Sequence, residues 1–210
     1  MRVLSPLVQT NEDTPEQLGR RERKKAETRR AIRRAALEVA RDRGVEGLTV
    51  AQISDVADIA PRTFFNYFAC KEDALVTDGT LTAAELRERI AGRPADEAPL
   101  DTLRAVLRES TLVTTVEADR EQILLQQRLV QGNEGLMARQ LAQFSTVERA
   151  LAEALAERLG VDGDADLRPQ VLAALSLGVV RVAIRRWAAD GTRSPGELIT
   201  EGFEVLARDE

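Results

Sequence analysis

The chain has 210 residues, with 30 Lys and Arg against 35 Asp and Glu, no His, one Cys and seven aromatic side chains. Without His there is no Ser-His-Asp or Cys-His nucleophile, no HExxH metal site and no Cys₂His₂ finger, and the single thiol, Cys70, can form neither an intrachain disulfide nor a thiolate metal cluster. With 43% apolar residues, a net charge of −5, no signal-peptide pattern and no run near the roughly 20 apolar residues that span a bilayer, the composition suits a soluble cytoplasmic protein with a packed core and no membrane partner.

The charge is uneven. Residues 1–70 hold 13 basic and 10 acidic groups, residues 71–210 hold 17 and 25, and residues 20–43 alone hold eleven Lys or Arg against four acids. A basic segment on an acidic chain suits a polyanion, although charge alone reads equally well as a solvated helix face. Residues 1–19, with Pro6 and Pro15 and no sustained period, read as a loose arm. From Glu16 or Arg20 to Arg43, Ile32, Ala35, Ala36, Val39 and Ala40 recur at helical spacing, and Gly44 stops the helix. Thr49 then caps a short helix with Val50, Ile53, Val56 and Ala57 on its apolar side. Asp58-Ile59-Ala60 makes a turn, and Pro61 suits the first position of a helix reaching about Phe68. Three helices this close, the last two joined by three residues, have the spacing of a helix-turn-helix unit over residues 20–70.

Four of the seven aromatics, Phe64, Phe65, Tyr67 and Phe68, fall within five residues of the third helix. Phe64 and Phe68, four apart, share one face and can anchor it. That leaves Pro61, Arg62, Thr63, Phe65 and Asn66 to meet base edges and thymine methyls in a DNA major groove. Thr49, Tyr67 and Lys71 are candidate phosphate ligands, Thr49 and Lys71 because each stands at a helix N-terminus. Arg23, Lys24 and Lys25 would follow the backbone or minor groove as a basic arm.

The residues Thr28-Arg29, Ile32, Ala35-Ala36, Gly44, Leu48-Thr49-Val50 and Ile53, then Val56 through Phe68 and Lys71-Glu72-Asp73-Ala74-Leu75, closely resemble the DNA-binding domain of TetR-family transcriptional regulators. The resemblance implies an all-α fold of about nine helices, a ligand-binding and dimerisation domain over residues 71–210, and the same phosphate use of Thr49, Tyr67 and Lys71. Two positions depart from the family pattern. Asp58 stands where Gly is usual, which a left-handed turn tolerates, and Ala60 replaces the usual Ser, removing a side-chain cap.

Residues 71–210 read as helices at 71–91, 99–115, 117–130, 134–159, 166–189 and 195–207, with no strand-like alternation. Gln127-Arg128-Leu129, Glu148 to Gly160, and Ala183 through Trp187 resemble acyl-ligand-sensing, mycofactocin-type regulators. Val171 to Ile184 is apolar nearly all round except at Ser176 and Arg181, which places it either in a subunit interface or in a central core. On the interface reading Val171, Leu175, Gly178, Val182 and Trp187 meet a second copy, with Leu198 and Phe203 of the last helix beside them. Reading a palindromic operator requires such a homodimer.

A small-molecule effector, acyl or otherwise amphipathic with an anionic end, would lie among Leu107, Leu112, Ile123, Leu124, Gln127, Phe144 and Val147, although each apolar side chain among them reads more readily as core. Arg128 and Arg181 would capture its anion, or else pair internally with Glu117, Glu121 or Glu148. No metal site, cofactor motif or catalytic constellation is present in the sequence, so an enzyme explains none of these features. A ligand-independent architectural DNA binder is the alternative, but it leaves the large C-terminal domain without a task.

Overall fold

Every regular element among the described residues is helical. The computed structural model describes residues 15–76, 83–110 and 120–208, with side chains from Arg23 onward. Nine α-helices lie within them: α1 (Pro15–Arg43), α2 (Val50–Val56), α3 (Pro61–Phe64), α4 (Ala83–Ala91), α5 (Pro99–Arg108), α6 (Arg120–Gln131), α7 (Glu134–Leu159), α8 (Arg168–Asp190) and α9 (Pro195–Arg208).

These correspond one to one with the helices expected from sequence, with shifted ends. α1 already runs from Pro15, so residues 15–19 are helix and not arm. α3 closes at Phe64, and the chain continues through turns in which Asn66 N–H donates to Thr63 and Phe68 N–H to Phe64. A helix is not continuous over 71–91: a 3₁₀ turn spans Glu72–Ala74, residues 77–82 lie outside the described residues, and α4 begins at Ala83. The helix expected over 99–115 ends at Arg108, and Leu112 lies outside the described residues.

Two hydrophobic cores organise the chain. The N-terminal core joins Ile32, Ala35, Ala36, Val39 and Ala40 of α1 to Leu48, Ile53, Phe64, Phe68, Ala74 and Leu75. The C-terminal core joins Leu86 and Ile90 of α4 and Leu103 and Leu107 of α5 to Leu151 and Leu155 of α7, Val180 and Trp187 of α8, and Ile199 and Phe203 of α9.

The α6–α7 hairpin bridges the two cores. Val130 and Leu136, on either side of its turn, are buried in the N-terminal core, while Ile123, Leu124 and Val147 pack on the C-terminal one. Asn133 caps α7 by accepting from Leu136 N–H at 3.0 Å. At the far end of α6, the Arg120 guanidinium donates to the carbonyls of Ala188 and Ala189 at 3.1 and 3.0 Å, tying α6 to the last turn of α8. Cationic donors there meet the unsatisfied carbonyls and the negative end of the helix dipole.

Candidate nucleic-acid interface

The surface that could meet DNA is built by the apolar side of α3. Phe64 and Phe68 are 0% and 3% exposed, with ring centroids 5.6 Å apart, and they fix the element against α1 and α2. Once they are buried, Pro61, Arg62, Phe65 and Asn66 are left together on the exposed side, with Thr63 half-buried. Phe65 is 59% exposed and rests edge-on against Phe64, centroids 5.5 Å apart, so a large ring is held at the surface in a fixed pose. An apolar ring beside a guanidinium and an amide, on a short element backed by core, suits thymine methyls and base edges.

The preceding turn sets how α3 leaves α2. Asp58 has φ of 52°, the left-handed conformation expected there, and its neighbour Ile59 N–H donates to Ser54 at 3.0 Å. Pro61 opens α3 and Ala60 supplies no side-chain cap. At the start of α2, Thr49 forms a capping box with Gln52: the Gln52 N–H donates to Thr49 Oγ1, and the Thr49 N–H donates to Gln52 Oε1 at 3.0 Å. Val56, expected on the apolar side of α2, is instead 50% exposed beside the turn.

Lys71 does more than stand near a helix end. Its ammonium donates to the Leu48 carbonyl at 2.8 Å, closing the gap between the turn after α3 and the entry to α2. It lies 3.9 Å from the Glu72 carboxylate and does not cap a long helix, as only the 3₁₀ turn follows. Tyr67 is half-buried, and its carbonyl accepts from Arg29 Nη1 at 2.5 Å. The Arg29 guanidinium also sits 4.3 Å over the Phe68 ring. Sequence reasoning had no role for Arg29: a bond to a carbonyl 38 residues away leaves no local signal. Arg23, Lys24 and Lys25 are exposed, but they belong to α1 and form no separate arm.

Two further groups complete the neighbourhood. Burial pushes the Cys70 thiol up, so it is protonated at neutral pH and a poor nucleophile. Asp73, just beyond it, pairs with Arg139 of α7 at 2.9 Å and links the N-terminal helices to the rest of the chain.

In the C-terminal domain the sequence-derived residues separate into three sets. Leu107 is buried, whereas Ile123, Leu124, Gln127, Phe144 and Val147 are half-buried around the α6–α7 hairpin. Arg128 and Arg181 are exposed, so the interior anion clamp expected from them is not formed. Arg128 projects to solvent from α6, whereas Arg181 lies three residues after Gly178 on the exposed, mostly apolar stripe of α8. The third set comprises the residues expected at a subunit contact. Val171, Leu175 and Val182 are 50%, 45% and 48% exposed, and with Gly178 they follow at spacings of four, three and four along one stripe of α8. Trp187, Leu198 and Phe203, by contrast, are enclosed by their own chain and cannot serve as an exposed contact face. Among the described residues no group of His, Cys, Asp and Glu could hold a metal ion, and no helix is long and apolar enough to cross a membrane.

These arrangements have counterparts in known proteins. Residues 32–76 match the family model of bacterial regulatory proteins of the tetR family, and residues 97–209 match that of the MftR C-terminal domain. The HTH-type transcriptional regulator TcmR of Streptomyces glaucescens is 35% identical over 179 residues, covering 83% of this chain and 79% of that protein. Among solved structures, Thermus thermophilus FadR, a transcriptional repressor in complex with lauroyl-CoA, is 26% identical with a TM-score of 0.51, covering 85% of this chain and 93% of that one. NalD of Pseudomonas aeruginosa, the secondary repressor of the MexAB-OprM multidrug efflux pump, shares the fold at 20% identity and a TM-score of 0.54, covering 87% and 96%.

Proposed function

The chain belongs to the TetR family of bacterial regulatory proteins and is a DNA-binding transcriptional regulator, not an enzyme, and from that premise we propose that it acts as a homodimeric repressor released from a palindromic operator by a small hydrophobic molecule. The observation that carries this reading is the division of α3 and its following turn. Phe64 and Phe68 hold the element to the core, and Pro61, Arg62, Phe65 and Asn66 are presented outward as one surface. One such element reads only a few base pairs, so two copies related by a twofold axis are needed for selectivity. The effector reading is supported by the half-buried apolar side chains around α6 and α7 and by the lauroyl-CoA held in the FadR structure. Acyl compounds are therefore among the candidates.

In this reading Arg62, Thr63, Phe65 and Asn66 carry base readout, with Pro61 against a thymine methyl. Arg62→Ala should cost about 1–3 kcal/mol on the selected operator and relax preference at one base pair, measured by binding to a panel of singly substituted sites. A uniform loss over the whole panel would make Arg62 a phosphate ligand instead.

Tyr67 and Lys71, together with Arg23, Lys24 and Lys25 along α1, hold phosphates, and Thr49 joins them by turning its hydroxyl away from Gln52 Oε1, to which it donates at 2.9 Å. The Lys71 ammonium has three donors and gives one to Leu48, leaving two for a phosphate while the bond keeps it aimed. Lys71→Ala should weaken specific and non-specific binding alike and reduce the salt slope of log K by about one. A salt slope equal to that of the parent would confine Lys71 to holding the Leu48 carbonyl.

A further inference from the structure

We propose that the effector is a neutral molecule whose hydrogen-bond donor meets Gln143, within a layer of glutamines held between the two hydrophobic cores. This rests on the release reading above and narrows it to a chemical class. α6 and α7 form an antiparallel hairpin closed by Gly132 and Asn133. Along α6, Ile123, Gln126 and Val130 follow at spacings of three and four, and along α7, Leu136, Gln140, Gln143 and Val147 follow at four, three and four, so each set shares one helix face. Val130 and Leu136 belong to the N-terminal core, Ile123 and Val147 pack on the C-terminal core, and the glutamines stand at the level between.

The polarity of this layer is unusual for its depth. Gln126 and Gln140 are 3% and 8% exposed and each makes a polar interaction, while the Nε2 of Gln140 is buried with no acceptor among the described residues, so a hydroxyl that donates to Gln143 can also accept from Gln140. The Oε1 of Gln143 is buried and accepts from no group among the described residues. An amide carbonyl in that position is stabilised by any O–H or N–H brought to it, which gives a donor-bearing ligand an advantage over one without. In the C-terminal core the Oγ of Ser176 is likewise buried without a partner, a second site suited to a neutral polar group.

The same interior is unsuited to an anion. Among the described residues no charged side chain is buried, and the buried polar set, Ser54, Thr102, Ser110, Gln126, Gln140 and Ser176, is neutral. The half-buried arginines of the C-terminal domain are bound elsewhere. Arg89 donates to the Glu109 carbonyl, Arg93 pairs with Glu97, Arg104 with Asp101, Arg120 holds α8, and Arg158 donates to the carbonyls of Ile90 and Arg93. Residues 77–82 and 111–119 contain no Lys or Arg in sequence. An anionic group taken inside would lose its hydration without a counter-charge. The layer also has leverage: a molecule inserted there parts α6 from α7, and so shifts Val130 and Leu136, which the two helices seat in the N-terminal core, against Ile123 and Val147 on the C-terminal one.

The test uses the full-length protein and two matched probe sets, 1-decanol, its methyl ether and decanoate, then 2-naphthol, its methyl ether and 2-naphthoate. Binding is measured by calorimetry, and an operator selected in vitro is followed in parallel by fluorescence anisotropy. In at least one set the hydroxyl compound should bind roughly tenfold more tightly than both its ether and its carboxylate. Gln143→Leu should bring the hydroxyl compound and its ether to equal affinity, and Gln143→Asn, which keeps a neutral amide acceptor, should retain part of the preference. Equal or tighter binding of the ether or the carboxylate, or no binding by any of the six, overturns the proposal. Tight hydroxyl binding that leaves the operator complex intact would instead refute the release reading while the Gln143 contact stands.

Discussion

Gly178→Arg should yield a folded monomer that has lost operator binding, although every residue facing DNA is intact. The argument starts from the exposed stripe of α8, where Val171, Leu175 and Val182 keep about half of their surface exposed around Gly178. A Cβ built on Gly178 meets nothing within 4 Å, so the new side chain starts in open space on the protomer. In a dimer packed along that stripe, a second long cationic side chain one turn from Arg181 would enter a close helix contact and be buried without a partner, which typically costs about 3–5 kcal/mol, enough to lower association by about two to nearly four orders of magnitude. Monomers lose the fixed separation of two reading elements, and affinity for the palindrome should fall toward that for non-specific DNA. Gly202→Ala makes a useful contrast. Its Cβ would lie 2.6 Å from Cγ1 of Val179, so its damage should appear as lowered thermal stability of the protomer itself. Size-exclusion chromatography with light scattering, alongside thermal unfolding, separates the two outcomes. A Gly178→Arg protein that remains dimeric and binds the operator as the parent does would remove α8 from the subunit contact.

The DNA-facing unit was readable in the sequence because its determinants are local. Helical spacing from Ile32 to Ala40, the stop at Gly44, the cap at Thr49 and the pair Phe64 and Phe68 each act within one or two helical turns, and each stands in the structure where that spacing puts it. The left-handed turn at Asp58 belongs to the same class of signal. What the sequence hid are relations between distant segments. The bond from Lys71 to Leu48, the Arg29 contacts with Tyr67 and Phe68, and the Arg120 grip on α8 join residues 23 to 69 positions apart. The residues expected at a subunit contact show a different limit. A helix apolar all round has both an inner and an outer face, and composition does not say which is which. Val171, Leu175 and Val182 lie outside, whereas Trp187 lies inside with Leu198 and Phe203 of α9. Arg128 and Arg181 failed as an interior clamp for the same reason: an Arg between apolar neighbours in sequence can still point outward on a helix.

Leu136→Ala is expected to weaken DNA binding from a position outside the helix-turn-helix unit. Leu136 is 0% exposed and lies in the first turn of α7, yet it packs in the N-terminal core with Phe64, Phe68 and Leu75. Truncating a fully buried leucine removes transfer free energy and leaves a cavity, typically about 2–5 kcal/mol in all. Here the cavity opens where the hairpin seats against the DNA-facing unit, so the lost contact also loosens the orientation of one core on the other. The Arg139–Asp73 pair remains, but it is partly exposed and holds much less. The variant should therefore unfold at lower temperature and bind the operator less tightly, with the salt slope unchanged because no phosphate ligand is lost. Leu136→Met, which nearly conserves volume, should restore most of both properties. Stability that falls while operator affinity at a temperature well below unfolding stays at the parental value would show that the hairpin supports the fold of the N-terminal core without setting its orientation on DNA.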